Sequence, residues 1–286
     1  MKQLPNYQQL LRIPEGTQNG WEVRAFLEPA GPVARVSMRT AMMAGHHAKP
    51  LVYTHPTRWI ELCENGKRWM SNLPIEQWQH RRQLGQMRGH VLIGGLGLGV
   101  MATLCACLDR VESITVIERS PEVYDLVWKH LRLRGKDCSL IQADLNHWAR
   151  QSGTLRFDSA YLDIWTGDGQ GHYLSETLPL IRACRRFVRG PIVAWNEDVM
   201  LGQFFIGLQS RLLWLTHPVD STLTPSLDAL ATPCGDQYID WSVPFFRYVR
   251  ACGLASRPMS EWSQIAAHYV REFPRLSGDP TDRWEG

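Results

Sequence analysis

The 286-residue chain lacks a strong charge of either sign: 31 Lys and Arg stand against 28 Asp and Glu, a net charge of +3. No global field gathers nucleic acid or an anionic surface, so such a partner has to be argued from local patches. Lysine is scarce, at five residues against 26 Arg. The cysteine count is odd, at seven, and no CxxC pair occurs. A complete set of internal disulfides is therefore excluded, and a reduced, cytoplasmic setting is the expectation. Internal repeats and low-complexity tracts are missing. The first residues, MKQLPNYQQLLRIPEG, show neither a sustained apolar run nor a small-residue cleavage site, so a secretory leader is not expected. His46-His47 has no Cys or carboxylate at ligand spacing, so a metal site is not expected there.

One stretch goes long without charge, from Val91 to Leu108. Its length tests for a membrane span, and Gly95 and Gly99 stand at the GxxxG spacing of membrane helix pairs. Four Gly within its first nine residues, at 94, 95, 97 and 99, argue otherwise. Each costs a helix roughly 1 kcal/mol relative to Ala. A buried strand, a tight turn and a buried helix fit better, and no membrane partner is expected.

What is there falls into three parts. Residues 1–75 contain short β-like runs at Trp21–Leu27, Ala34–Met38 and Trp59–Cys63, and Asn65-Gly66 signals a hairpin into Arg68–Met70. They form a small β-rich N-terminal module. Residues 76–216 alternate strands (Val91–Gly94, Ser113–Glu118, Ser139–Gln142, Phe157–Asp163, Pro191–Trp195) with helices (Leu98–Leu108, Ser120 to about Leu133, Leu174–Arg189, Val199–Leu213). Such alternation implies βαβ units, hence an α/β fold: a doubly wound, mainly parallel sheet with helices on both faces. Residues 217–286 read as a loop, Pro218–Cys234, followed by a helical C-terminal extension over Ser242–Cys252 and Ser260–Phe273. The extension fits a cover for the sheet, a lid or a homodimer contact.

The chemistry concentrates after the first strand of the sheet. Gly95, Gly97 and Gly99 form GxGxG between a strand and a helix. Glycines there allow a tight turn and a close approach of backbone to ligand, with a helix N-terminus facing it. The dinucleotide fingerprint GxGxxG is not met, because Val100 stands where its third glycine would fall. Glu118 closes the second strand, 19 residues after Gly99, where an acid reaches ribose hydroxyls. Asp144 follows the third strand and Asp163 the fourth. All of these fall at carboxyl ends of parallel strands, where open sheets bind ligands.

Residues Gly95 to Asp163 resemble the class I S-adenosylmethionine-dependent methyltransferase superfamily, with a Rossmann-like fold and a layout similar to spermidine synthases. The resemblance implies that S-adenosylmethionine is the cofactor. Gly95, Gly97 and Gly99 would lie beneath its amino-acid part, Glu118 would take the ribose hydroxyls, and Asp144 the adenine amino group. The chain departs from spermidine synthases after the fourth strand. Asp163-Ile164-Trp165-Thr166-Gly167 stands where they carry Asp-x-x-Asp-Pro. Their linker Asp-Glu pair is replaced by Trp69-Met70-Ser71-Asn72-Leu73-Pro74-Ile75-Glu76. Polyamines need several carboxylates, so methyl transfer is favoured over aminopropyl transfer.

Asp163 has two readings: a base for an amine or hydroxyl nucleophile, or an anchor for the cofactor's amino group. Trp165, Asp168, Asn196 and Glu76 are substrate-side candidates. Trp165 also reads as packing and Asn196-Glu197-Asp198 as an ordinary helix start. Arg182, Arg185, Arg186 and Arg189 share one helical face, either a phosphate-contact stripe or a solvated surface, which leaves a nucleic-acid substrate open beside a small molecule. The expectation is a transferase, an S-adenosylmethionine-dependent methyltransferase of unidentified acceptor. The alternatives are a spermidine-synthase-like aminopropyltransferase and a non-catalytic module that binds the cofactor.

Overall fold

The N-terminal module forms an antiparallel sheet. In a computed structural model of the chain it comprises β1 (Gly16–Gln18), β2 (Trp21–Glu28), β5 (Thr57–Glu64) and β6 (Lys67–Ser71), in the order β1-β2-β5-β6. A separate short pair joins β3 (Gly31–Pro32) to β4 (Val52–Tyr53). The structure describes residues 10–32, 52–133, 135–151, 155–165, 176–197, 200, 230–232, 243–254, 261 and 264–265. Asn65 and Gly66 take positive φ, 50° and 77°, and turn β5 into β6 as the Asn-Gly signal predicts. The register then slips: Leu62 pairs with Met70 and Cys63 with Arg68, so Trp69 is the extra residue of a β-bulge. Glu61, buried in β5, accepts from Arg24 Nε at 2.7 Å and from Arg68 Nε.

Helix α1 (Pro74–Gln83) leads into the second sheet. This sheet holds β7 (Gly89–Gly94), β8 (Val111–Glu118), β9 (Asp137–Gln142), β10 (Ser159–Leu162) and β11 (Ile192–Ala194). All four pairings are parallel and the order is β11-β10-β7-β8-β9. The chain starts in the middle at β7, builds outward to β9, then returns to lay β10 on the other side of β7. The direction reverses between β7 and β10, the topological switch point of a Rossmann-like sheet.

Three helices fill the crossovers: α2 (Val100–Ala106), α3 (Pro121–Leu126) and α4 (Leu145–Gln151). Side chains alternate across β7, and the helices follow. Val91 and Ile93 share one apolar cluster with Val100, Leu104 and Val123, together with Val23, Ile60 and Leu62 from the N-terminal sheet. Gly94 faces the other way: a Cβ there would lie 2.3 Å from the Leu145 side chain of α4. Helices therefore cover both faces, as the alternating pattern predicts.

The chain packs as two compact units, Met1–Thr166 with Phe187–Trp195, and Gly167–Arg186 with Asn196–Gly286. In the second unit, α5 (Leu178–Arg185) buries Leu178, Leu180, Ile181 and Cys184 and exposes Arg185. Helix α6 (Val243–Ala251) buries Val243, Phe245, Phe246 and Val249.

Two expectations are corrected. The helix expected from Ser120 to about Leu133 stops at Leu126, because Val127 leaves helical geometry at φ −121°. A short 3-10 turn follows, and the chain brings Leu131 against Gly99. The helix expected over Leu174–Arg189 ends at Arg185, because Val188 is drawn into a parallel bridge with Phe157, while its expected start at Leu174 lies outside the described residues. Ala34–Met38 and His46-His47 lie outside the described residues, as do most of Val199–Leu213, Pro218–Cys234 and Ser260–Phe273.

Candidate functional site

The glycine loop joins β7 to α2. Gly95, Gly97 and Gly99 all take positive φ, at 86°, 51° and 72°, a region that side chains resist. Each glycine also meets a close neighbour. A Cβ at Gly95 would lie 2.0 Å from the Asp163 carbonyl oxygen, at Gly97 2.2 Å from Met70 Sδ, and at Gly99 2.5 Å from the Leu131 side chain. The loop is thus pressed between the end of β10, the N-terminal sheet and the segment after α3.

Glu118 braces this loop. It is buried at the end of β8. Its Oε2 accepts the Leu96 N–H and its Oε1 the Ser120 N–H, both at 2.8 Å. Ser120 in turn caps α3, its Oγ accepting from the Val123 N–H at 3.2 Å.

Strand β6 reaches the same loop. The Leu98 N–H donates to Met70 Sδ at 2.9 Å. Trp69 packs edge-on against Trp21, with centroids 5.6 Å apart, and Arg119 stands 5.8 Å over its ring. The bulge explains how adjacent residues Trp69 and Met70 both pack against the main apolar cluster.

A second polar group lies where α1 meets β10. Glu76 and His80 are one turn apart on α1, and Tyr161 and Asp163 are two residues apart at the end of β10, so each pair shares a face. The Tyr161 hydroxyl and His80 Nδ1 are 2.8 Å apart, and both side chains are buried. Burial holds the His80 imidazole down at about 4, which keeps it neutral. Burial also raises the Tyr161 phenol, with the Asp163 charge adding to it.

Asp163 is tied to the sheet through its backbone, its N–H donating to the Gly94 carbonyl at 2.8 Å. Its carboxyl is pushed up to about 7, chiefly by burial and further by the Glu76 charge. Among the described residues its carboxylate has no hydrogen-bond partner. Glu76 accepts the Ser71 N–H at 2.7 Å and the Ser71 hydroxyl at 2.6 Å.

The remaining sequence candidates are placed as follows. Asp144 is exposed beyond β9, and its Oδ1 accepts the His147 N–H at 2.9 Å, capping α4. Trp165 is buried. Asp168 lies outside the described residues. Asn196 belongs to the second unit, at φ 54°. The structure thus brings Gly95, Gly97, Glu118, Asp163 and Glu76 to one end of the first unit's sheet. Sequence reasoning missed Met70, His80 and Tyr161. The i,i+4 pair Glu76/His80 beside the i,i+2 pair Tyr161/Asp163 was the available signal. Among the described residues there is no cluster of three metal-ligating side chains, and no helix is long and apolar enough to cross a membrane.

No family model matches the chain, and no curated protein matches it. Solved structures do. The chain is similar to spermidine synthase from Thermotoga maritima at 13% identity and a TM-score of 0.35, covering 62% of this chain and 52% of that one. It is similar to the N-methyltransferase NodS from Bradyrhizobium japonicum at 14% identity and a TM-score of 0.30, covering 40% and 60%. It is similar to a precorrin 8w decarboxylase from Methanobacterium thermoautotrophicum at 17% identity and a TM-score of 0.31, covering 42% and 60%. The chain thus spans about half to three-fifths of the length of these proteins. At such identities and scores the likeness sets no chemistry for this chain.

Proposed function

We propose that the chain is a transferase that binds S-adenosylmethionine on the glycine loop and directs its methyl group to a small-molecule acceptor. The observation that carries this reading is the brace between Glu118 and the loop at the switch point of the sheet. A carboxylate offers about four acceptor positions. Two serve the Leu96 and Ser120 N–H groups, and the others suit ribose hydroxyls. The Leu98 N–H is satisfied by a thioether, a weak acceptor, and a ligand carboxylate there makes a stronger, charge-assisted bond. Asp144 Oδ2, without a partner among the described residues, suits an adenine amino group. The donor set therefore fits the cofactor.

When bound, S-adenosylmethionine supplies a methyl group already activated by its sulfonium, so the protein's task is alignment. Asp163 is the base. A carboxyl that titrates near neutrality takes the proton of an amine or hydroxyl nucleophile more readily than an ordinary carboxylate. Buried Trp165, and Glu76 within electrostatic reach of Asp163, are assigned to the acceptor side.

Calorimetric titration with S-adenosylhomocysteine and with NAD tests the reading. Binding of the sulfur ligand is expected. Binding of NAD without response to the sulfur ligand overturns it.

One observation favours a second reading, aminopropyl transfer. Glu76 lies within electrostatic reach of Asp163, and two carboxylates together recognise a cationic amine. Affinities for intact and decarboxylated S-adenosylmethionine on one preparation separate the two. The methyltransferase reading expects the intact form to bind roughly ten- to a hundredfold tighter, the worth of one charge-assisted contact.

A further inference from the structure

Met70 stands apart from the residues assigned so far. It is half-buried on β6, the edge strand of the N-terminal sheet, and its side chain reaches across to the glycine loop. Its sulfur takes the Leu98 N–H at 2.9 Å and fills the space above Gly97, where a Cβ would come within 2.2 Å. The bulge at Trp69 aims it there. Bulges re-aim side chains next to functional sites.

We infer that Met70 is the gate of the glycine loop: it holds the place of a ligand's anionic end, and a ligand enters by displacing it. The inference rests on the ligand site proposed above. Three features make the side chain suited to this. It is unbranched and adaptable, so it withdraws without moving the strand. Its thioether is a weak acceptor, so it keeps the buried N–H satisfied yet yields to a carboxylate. Its neighbours Ser71 and Asn72 are anchored, Ser71 by Glu76 and Asn72 by its Oδ1 accepting the Ile60 N–H at 2.8 Å, so only the side chain has to move.

Ligand selection follows. A ligand with a carboxylate replaces the sulfur at Leu98 with a better partner. One without an anionic group gives up that bond and still has to expel Met70. The gate therefore sharpens the preference for carboxylate-bearing ligands beyond what the loop alone confers.

The test uses the full chain, with S-adenosylhomocysteine as the probe, in Met70→Ala and the bulk-preserving Met70→Leu. Removing the gate is expected to tighten binding at least fivefold in the Ala variant. In the free protein, Leu98 amide exchange is expected to accelerate at least tenfold in both variants, because both lose the acceptor. The Met70 methyl resonance is expected to shift when the probe binds to the native chain. Should Met70→Ala not fold, the Leu variant and the methyl resonance carry the test. Unchanged Leu98 exchange in Met70→Leu, or probe binding with an unmoved methyl resonance, overturns the gate. Absence of probe binding in the native chain and both variants, with accelerated Leu98 exchange, overturns the cofactor reading while leaving the sulfur contact supported.

Discussion

Glu118 Oε2 holds the Leu96 N–H at 2.8 Å, a bond between residues 22 positions apart that ties the end of β8 to the glycine loop. The carboxylate is therefore a structural strut as well as a ligand candidate. Glu118→Ala strands two buried N–H groups, each costing about 1–3 kcal/mol. It is expected to lose stability in urea unfolding and to weaken S-adenosylhomocysteine binding by about 1.5–3 kcal/mol. Glu118→Gln keeps an acceptor oxygen and is expected to recover part of the stability. Native stability and affinity in the Ala variant remove both roles.

The three loop glycines are not equivalent. Gly95 abuts the backbone oxygen of Asp163, whereas Gly97 abuts a methionine side chain. Positive φ costs a non-glycine residue about 1–3 kcal/mol at either position. Gly97→Ala is expected to lose about that much, since Met70 can yield. Gly95→Ala is expected to lose clearly more, since a backbone has nowhere to go. Urea unfolding of both variants ranks them, and equal losses contradict the packing described.

Asp163 and His80 pull stability in opposite directions over one pH window. Asp163 binds its proton more tightly folded, at about 7 against an ordinary 3.8, so its contribution is full at low pH and fades as pH rises through 7. His80 binds its proton less tightly folded, at about 4 against 6.5, so its contribution is full above 6.5 and fades as pH falls towards 4. Relative to the native chain, Asp163→Asn is expected to gain stability progressively from pH 4 to 8. His80→Gln, which retains a partner for Tyr161, is expected to gain as pH falls from 7 to 4. Denaturation at four pH values measures both differences, and flat differences refute the assignment of these groups.

Ser120 joins the two halves of the brace, since its N–H binds Glu118 and its Oγ caps α3. Ser120→Ala keeps the first and loses the second. A stability loss of about 0.5–2 kcal/mol is expected, with ligand affinity nearly unchanged. A large loss of affinity instead assigns the hydroxyl to the ligand.

The legible parts of the fold had local signals. Asn65-Gly66 marks its own hairpin, and β7, β8 and β9 are apolar enough to stand out beside their punctuation. Helix α1 was not legible because its inward positions include Gln77 and His80, which break the apolar stripe a buried helix ordinarily shows. Those same residues satisfy polar partners, with Gln77 Nε2 donating to the Asn72 carbonyl at 2.7 Å. In the site, Gly95 and Glu118 were legible because strand ends locate them. Met70 was not, because its role depends on a bulge and on contact between two sheets, neither of which has a sequence period.

The apolar cluster that runs from Val23 and Leu62 into Val91 and Ile93 has a consequence for how this protein can vary. The small sheet and the larger one share a single interior. The seam near residue 75 is a boundary in chain order and not in packing. Exchange of the first 75 residues with those of another protein would have to import a matching apolar surface, a bulge at the same register and a side chain of suitable reach over Gly97. The two sheets are therefore constrained to change together.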